Sequence, residues 1–172
     1  ELELAISGQV LAAPVRTIYV NRMDAQGSIF YWSTSTSGIM EIPYGGSATE
    51  YLTVNNTGHC VGCHTVRNGK IAFTYDGGNG PMGVKNLDGS DIVSYGAAYG
   101  NFTSFSPDGQ YLLSVYMGAL YLYDAQTGAE LYQVPTSIPV SHVDWSPNGD
   151  LVAVTGIGGS YGCDWCFYEG NI

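Results

Sequence analysis

Cys60-Val61-Gly62-Cys63-His64 is the stretch with the most chemistry in it. It reads C-x-x-C-H, the attachment pattern of a c-type haem. Two thiols at this spacing can each bond one vinyl group of the same porphyrin, and the adjacent imidazole can turn onto the iron as proximal ligand. The same residues admit two plainer readings. Cys60 and Cys63 can form a disulfide, or they can supply half of a zinc site.

The haem reading leaves the distal side of the iron to be filled. The candidates are His59, His142, Met82, Met117, Met23 and Met40. His142 is favoured because it lies near the position equivalent to His64 in another repeat, and a second imidazole gives a low potential. Met82 is the alternative. It follows Gly77-Gly78-Asn79-Gly80-Pro81, a loop expected to swing a thioether over the iron and raise the potential. An open sixth position would admit a small ligand. Cys163-Asp164-Trp165-Cys166 lacks a following His, so a disulfide across a tight turn is expected there. Joining all four cysteines around one zinc is disfavoured by the long gap between the pairs and by His64. Asp76-Gly77-Gly78-Asn79 offers oxygens to calcium but too few carboxylates for a firm assignment. Asn55-Asn56-Thr57 and Asn101-Phe102-Thr103 match N-x-T. No nucleophile–base pair, paired acid or phosphate loop stands out, which favours an electron carrier over a catalyst.

The elements that must position this motif repeat along the chain. Arg67-Asn68-Gly69, Pro107-Asp108-Gly109 and Pro147-Asn148-Gly149 are turn signals, each followed by an apolar run that predicts a strand. The turn glycines recur every 40 residues: 109 − 69 = 40 and 149 − 109 = 40. About 40 residues with four short strands is the pattern of a propeller blade. The spacing predicts an all-β, propeller-like domain of about four blades, near 10–45, 55–96, 97–137 and 138–172, the last incomplete. Thr17–Asn21 is expected to be a strand of the first blade, and residues 1–9 a spare strand with Leu2, Leu4 and Ile6 on one face. His64, Ser104 and Asp144 each stand five residues before a turn glycine, so the motif is expected at the entry to an innermost strand.

Ser104-Phe105-Ser106-Pro107-Asp108-Gly109 and His142-Val143-Asp144-Trp145-Ser146-Pro147-Asn148-Gly149 resemble the repeats of TolB-type bacterial β-propellers, as does Leu122-Tyr123-Asp124-Ala125-Gln126-Thr127-Gly128. The resemblance covers residues 58–156 well and 15–45 weakly. It implies a propeller fold and says little of activity. Some members of this broad group carry C-x-x-C-H where another blade has its innermost strand, and this sequence looks like one of them. It departs from the pattern in having about four blades, and in Asn68 where Pro-Asp is usual.

Composition sets the remaining bounds. Of 172 residues 45% are hydrophobic and only 12% charged, with 24 Gly and 14 Tyr, which suits short strands and tight turns. A net charge of −10 makes nucleic acid and anionic membrane poor partners. No apolar run approaches the roughly 20 residues that cross a bilayer. Glu1-Leu2-Glu3-Leu4 has no basic signal-peptide region, which fits a mature form with the signal already removed. The expected protein is exported, to the periplasm, the cell surface or the medium. It would carry one covalent haem c on Cys60 and Cys63, with His64 as proximal ligand, and transfer electrons to a redox partner. Bare strand edges also predict a homo-oligomer built by lending residues 1–9. The rival reading is an interaction module, filament-forming or not, in which Cys60 and Cys63 are a disulfide.

Overall fold

The computed structural model describes residues 3–6, 9–12, 27–78, 80–150, 152–157, 163 and 170–171. Antiparallel strands dominate it. A hairpin pairs β1 (Glu3–Ile6) with β2 (Gln9–Ala12). The first larger sheet has β3 (Ser28–Ser33), β4 (Gly38–Pro43) and β5 (Thr49–Leu52). The second has β6 (Val61–Arg67), β7 (Lys70–Tyr75), β8 (Gly80–Asn86) and β9 (Asp91–Gly100). The third has β10 (Phe102–Phe105), β11 (Tyr111–Tyr116), β12 (Ala119–Asp124) and β13 (Glu130–Val134). The fourth has β14 (Val140–Trp145), β15 (Val152–Ile157) and β16 (Gly170–Asn171). Each sheet is a meander in sequence order, as a propeller blade is.

The core lies between successive sheets. Ile39 and Leu52 of the first pack against Val61, Ile71, Phe73 and Tyr75 of the second. Ala72, Met82 and Val84 on the opposite face of the second meet Phe105 and Leu112 of the third. Leu113, Val115 and Leu120 of the third meet Val140 and Val143 of the fourth. Alternate residues of β7 therefore serve two interfaces, which is why all six are buried. Strands β6, β10 and β14 run side by side as the inner row.

Three expectations need adjusting. The first sheet continues to Leu52 rather than ending near 45, because β5 extends the blade beyond β4. The second sheet ends at Gly100 because β9 is ten residues long. Residues 1–9 are not a lone strand: β1 already has one edge satisfied by β2. Thr17–Asn21, Met23, Asn79, Tyr161, Cys166 and Tyr168 lie outside the described residues.

Candidate functional site

A short turn of helix, α1 (Val54–Thr57), delivers the chain to the motif. Its first turn closes when Thr53 N–H donates to Asn56 Oδ1 at 2.8 Å and Thr57 Oγ1 donates to the Thr53 carbonyl at 2.8 Å. Gly58, with φ +76°, then redirects the backbone as only glycine does readily. His59 and Cys60 follow, and β6 begins at Val61. Two hydrogen bonds pin this entry to the first sheet. Trp32 Nε1 donates to the Val61 carbonyl at 2.8 Å, and Val61 N–H donates to the Ser37 carbonyl at 3.1 Å. On the other side Asp76 N–H donates to the Cys60 carbonyl at 2.7 Å.

Cys63 and His64 lie inside the inner strand rather than ahead of it, and the register there is irregular. Val61 pairs with Tyr75 and His64 with Phe73, so Gly62 and Cys63 together oppose Thr74. Two residues against one is a β-bulge, a device that re-aims side chains. Its consequence is a change of phase. Tyr75 and Phe73 share a face, so Val61 and His64 share that face despite being three residues apart. By the same alternation Cys60 and Cys63 fall together on the opposite face, beside Thr74. The bulge brings the two thiols of C-x-x-C onto one side.

Both thiols are free; Cys60 is half-buried and Cys63 exposed. Burial nevertheless pushes the Cys63 thiol up, outweighing its backbone hydrogen bond and then the Thr74 hydroxyl, which both act to lower it. Thr74 Oγ1 is itself buried without a hydrogen-bond partner of ordinary geometry. The backbone of Gly62 and Gly78 packs closely over that hydroxyl: a Cβ at Gly62 would stand 3.4 Å from it, and one at Gly78 would stand 3.6 Å from it and 2.7 Å from Asn101 Oδ1. The thiol face thus holds an orphaned polar atom under close packing.

His64 looks the other way. Its Nε2 lies 3.3 Å from the Phe30 carbonyl oxygen, a contact that needs the proton on Nε2. To bind a metal through Nε2 the imidazole must move that proton to Nδ1 and leave Phe30. The two thiols therefore share a face as folded, whereas His64 could reach a group on that face only after a local turn of its ring and of the strand entry.

The other candidate ligands are dispersed. His142 sits on β14, exposed, with its ring stacked on Phe102 at 3.7 Å; burial of one side holds its pKa below the usual histidine range. Ser141 and His142 form a second bulge at nearly the equivalent place, between Val140 and Val143. Met82 is not on a loop: it lies in β8, 0% exposed, inside the interface core. Withdrawing it would cost several kcal/mol, roughly 2–5, of packing. Met117 occupies the β11–β12 turn with φ +50° and is exposed, and Met40 is in β4. His59 Nδ1 lies 3.1 Å from Asp76 Oδ1, and its ring stacks on Tyr95 at 4.0 Å. Among the described residues no three His, Cys, Asp or Glu side chains gather as a metal site. Cys163 is disulfide-bonded, which removes it from any shared zinc site. The slots equivalent to His64 carry structural bonds: Ser104 Oγ donates to Asp144 Oδ1 at 3.2 Å and accepts from Trp145 N–H at 3.1 Å.

Stacked antiparallel meanders with an inner row of strands define an all-β, propeller-like protein. Solved structures agree on the fold. Kluyveromyces lactis Hsv2 matches with a TM-score of 0.56 at 16% identity, over 86% of this chain and 47% of that one. A K. lactis Hsv2 variant with loop 6CD replaced by a Gly-Ser linker matches with a TM-score of 0.55 at 16% identity, over 85% and 48%. The chain thus spans about half the length of these propellers. No protein-family model matches it, and no curated protein matches it.

Proposed function

We propose that this chain is an exported propeller module that carries one c-type haem through Cys60 and Cys63 and serves in electron transfer. One observation carries the reading. The two thiols of C-x-x-C are unpaired and share a face, while Cys163 elsewhere in the chain is oxidised to a disulfide. In a chain that makes disulfides, two free neighbouring thiols call for another use. The bulge at Gly62-Cys63 supports it. The repeats that resemble TolB-type propellers, some of which carry C-x-x-C-H, support it as well.

Bound there, the haem would supply a one-electron couple. Cys60 and Cys63 would hold the group by thioether bonds. His64 would have to release the Phe30 carbonyl to hold the iron, giving up a neutral hydrogen bond worth about 0.5–1.5 kcal/mol. His142 is the distal candidate we favour. Met82 would first have to leave the core. The exposure of Cys63 puts the site at the surface, where a redox partner can approach it. Intact mass under denaturing, non-reducing conditions tests the proposal. One added haem mass is expected, with a sharp reduced α-band that survives acid-acetone extraction. An unmodified mass from a host that matures c-type cytochromes overturns it, and then the interaction-module reading takes its place.

We also propose self-association through strand edges. The lent element would be the hairpin β1–β2, which pairs with no other described strand, rather than a single strand 1–9. Deleting residues 1–12 should convert an oligomer to monomer in light scattering. An unchanged mass refutes the hairpin's role.

A further inference from the structure

A cavity of about 510 Å³ opens beside the second sheet, separate from the thiol face. Three tyrosines from three strands line it: Tyr51 of β5, Tyr75 of β7 and Tyr95 of β9. Tyr75 and Tyr95 meet edge to face at 5.0 Å with their planes 74° apart, and Tyr75 is 6% exposed, so Tyr95 supplies most of the open ring surface. Tyr95 is 48% exposed. His59 backs one face of its ring at 4.0 Å, and its hydroxyl donates to Asp76 Oδ2 at 2.9 Å. These two contacts hold the ring in place without a ligand.

The two lining charges cancel, and the carboxylates just outside the lining, Asp76, Asp88 and Glu41, leave the corner negative. Lys85 is the only lysine or arginine among the lining residues, and it is already ion-paired with Asp91. Asp76 stands behind Tyr95. Burial is the main cause that pushes Tyr51 and Tyr75 up, with Glu41 and Asp88 adding to it at Tyr51 and Asp91 and Asp76 at Tyr75, while at Tyr95 the bond to Asp76 leads. An aromatic corner in a negative field, with its own cation neutralised, attracts an organic cation to the ring faces. A neutral saccharide would use the same rings but gain nothing from the field. An anion would be repelled.

We propose that the Tyr51–Tyr75–Tyr95 cavity binds an ammonium group, carried either by a small amine or by a lysine side chain of a peptide. The site is independent of the haem reading, since none of Cys60, Cys63 and His64 lines it.

Titration calorimetry on the full chain tests the site, with tetramethylammonium and Nα-acetyl-lysine methylamide, whose side-chain ammonium is free, as probes and glucose and acetate as controls. Saturable binding of either cation, weakened by salt, is the expected result. Tighter binding of the lysine probe assigns a peptide source, and tighter binding of tetramethylammonium a small amine. Tyr95→Leu should weaken the cation by about three- to thirtyfold, whereas Tyr95→Phe, which keeps the ring, should stay within about twofold. Tyr95 is half exposed, so the fold is expected to tolerate both changes, and far-ultraviolet circular dichroism checks this. Three results overturn the proposal: no saturable cation binding, glucose or acetate binding as well as the cations, or Tyr95→Leu binding like the parent chain.

Discussion

The second and third blades are the same module 40 residues apart, and they differ where the chemistry is. In the third blade β10 pairs with β11 without a break from Phe102 to Phe105. In the second, β6 carries the bulge at Gly62-Cys63. The turns differ too. Asn68 and Gly69, with φ +46° and +74°, make a two-residue hairpin loop between Arg67 and Lys70, the left-handed pair that Asn-Gly favours. Ser106-Pro107-Asp108-Gly109 makes a longer loop, in which Asp108 Oδ1 accepts from Ser106 Oγ at 2.6 Å and Gln110 N–H at 3.0 Å. Other features are shared. Thr74 and Ser114 hold equivalent places, and both hydroxyls are buried without an ordinary hydrogen-bond partner. The scaffold tolerates that cost twice, but only the second blade sets thiols beside it.

The largest effect should come from the thiols themselves. Cys60→Ser/Cys63→Ser should abolish covalent haem, whereas Ser104→His in the third blade should add none; intact mass decides both. Haem retained by the double variant would erase the difference between the blades. Packing comes next. Phe73→Ala should destabilise by about 3–5 kcal/mol, and Leu112→Ala by about 2–5 kcal/mol, in urea unfolding. If Leu112 proved neutral, the third blade would not be the equal structural partner described. A smaller cost, about 1 kcal/mol, is expected for Asn68→Ala, since alanine tolerates the left-handed turn less well and loses the Asn68 Nδ2 bond to the Pro107 carbonyl.

Smaller still, Ser114→Ala should be neutral or stabilising by up to about 1 kcal/mol, because it removes a buried unpaired hydroxyl. Thr74→Val should act likewise on stability. It should also push the Cys63 thiol higher, since the Thr74 hydroxyl opposes the rise. In haem-free protein, Cys63 alkylation should therefore be slower at neutral pH than that of an ordinary thiol and accelerate as pH rises, with Thr74→Val displaced to still higher pH. Equal profiles for both proteins would remove the Thr74–Cys63 coupling.

The sequence alone carried the 40-residue period and most strands of the second and third blades. Those features rest on local alternation and on turn residues, which every strand displays in its own composition. It also carried the chemical identity of Cys60, Cys63 and His64. The tertiary structure decided how those residues face. A bulge exists only relative to a partner strand, so nothing within Cys60–His64 announces that the thiols share a side and that the imidazole turns to Phe30. Met82 looks mobile behind its glycines and becomes core only because β7 and β9 pair on either side of it. The aromatic corner was equally invisible: Tyr51, Tyr75 and Tyr95 are far apart in sequence, and only the stacking of one blade on the next brings their rings around a common space.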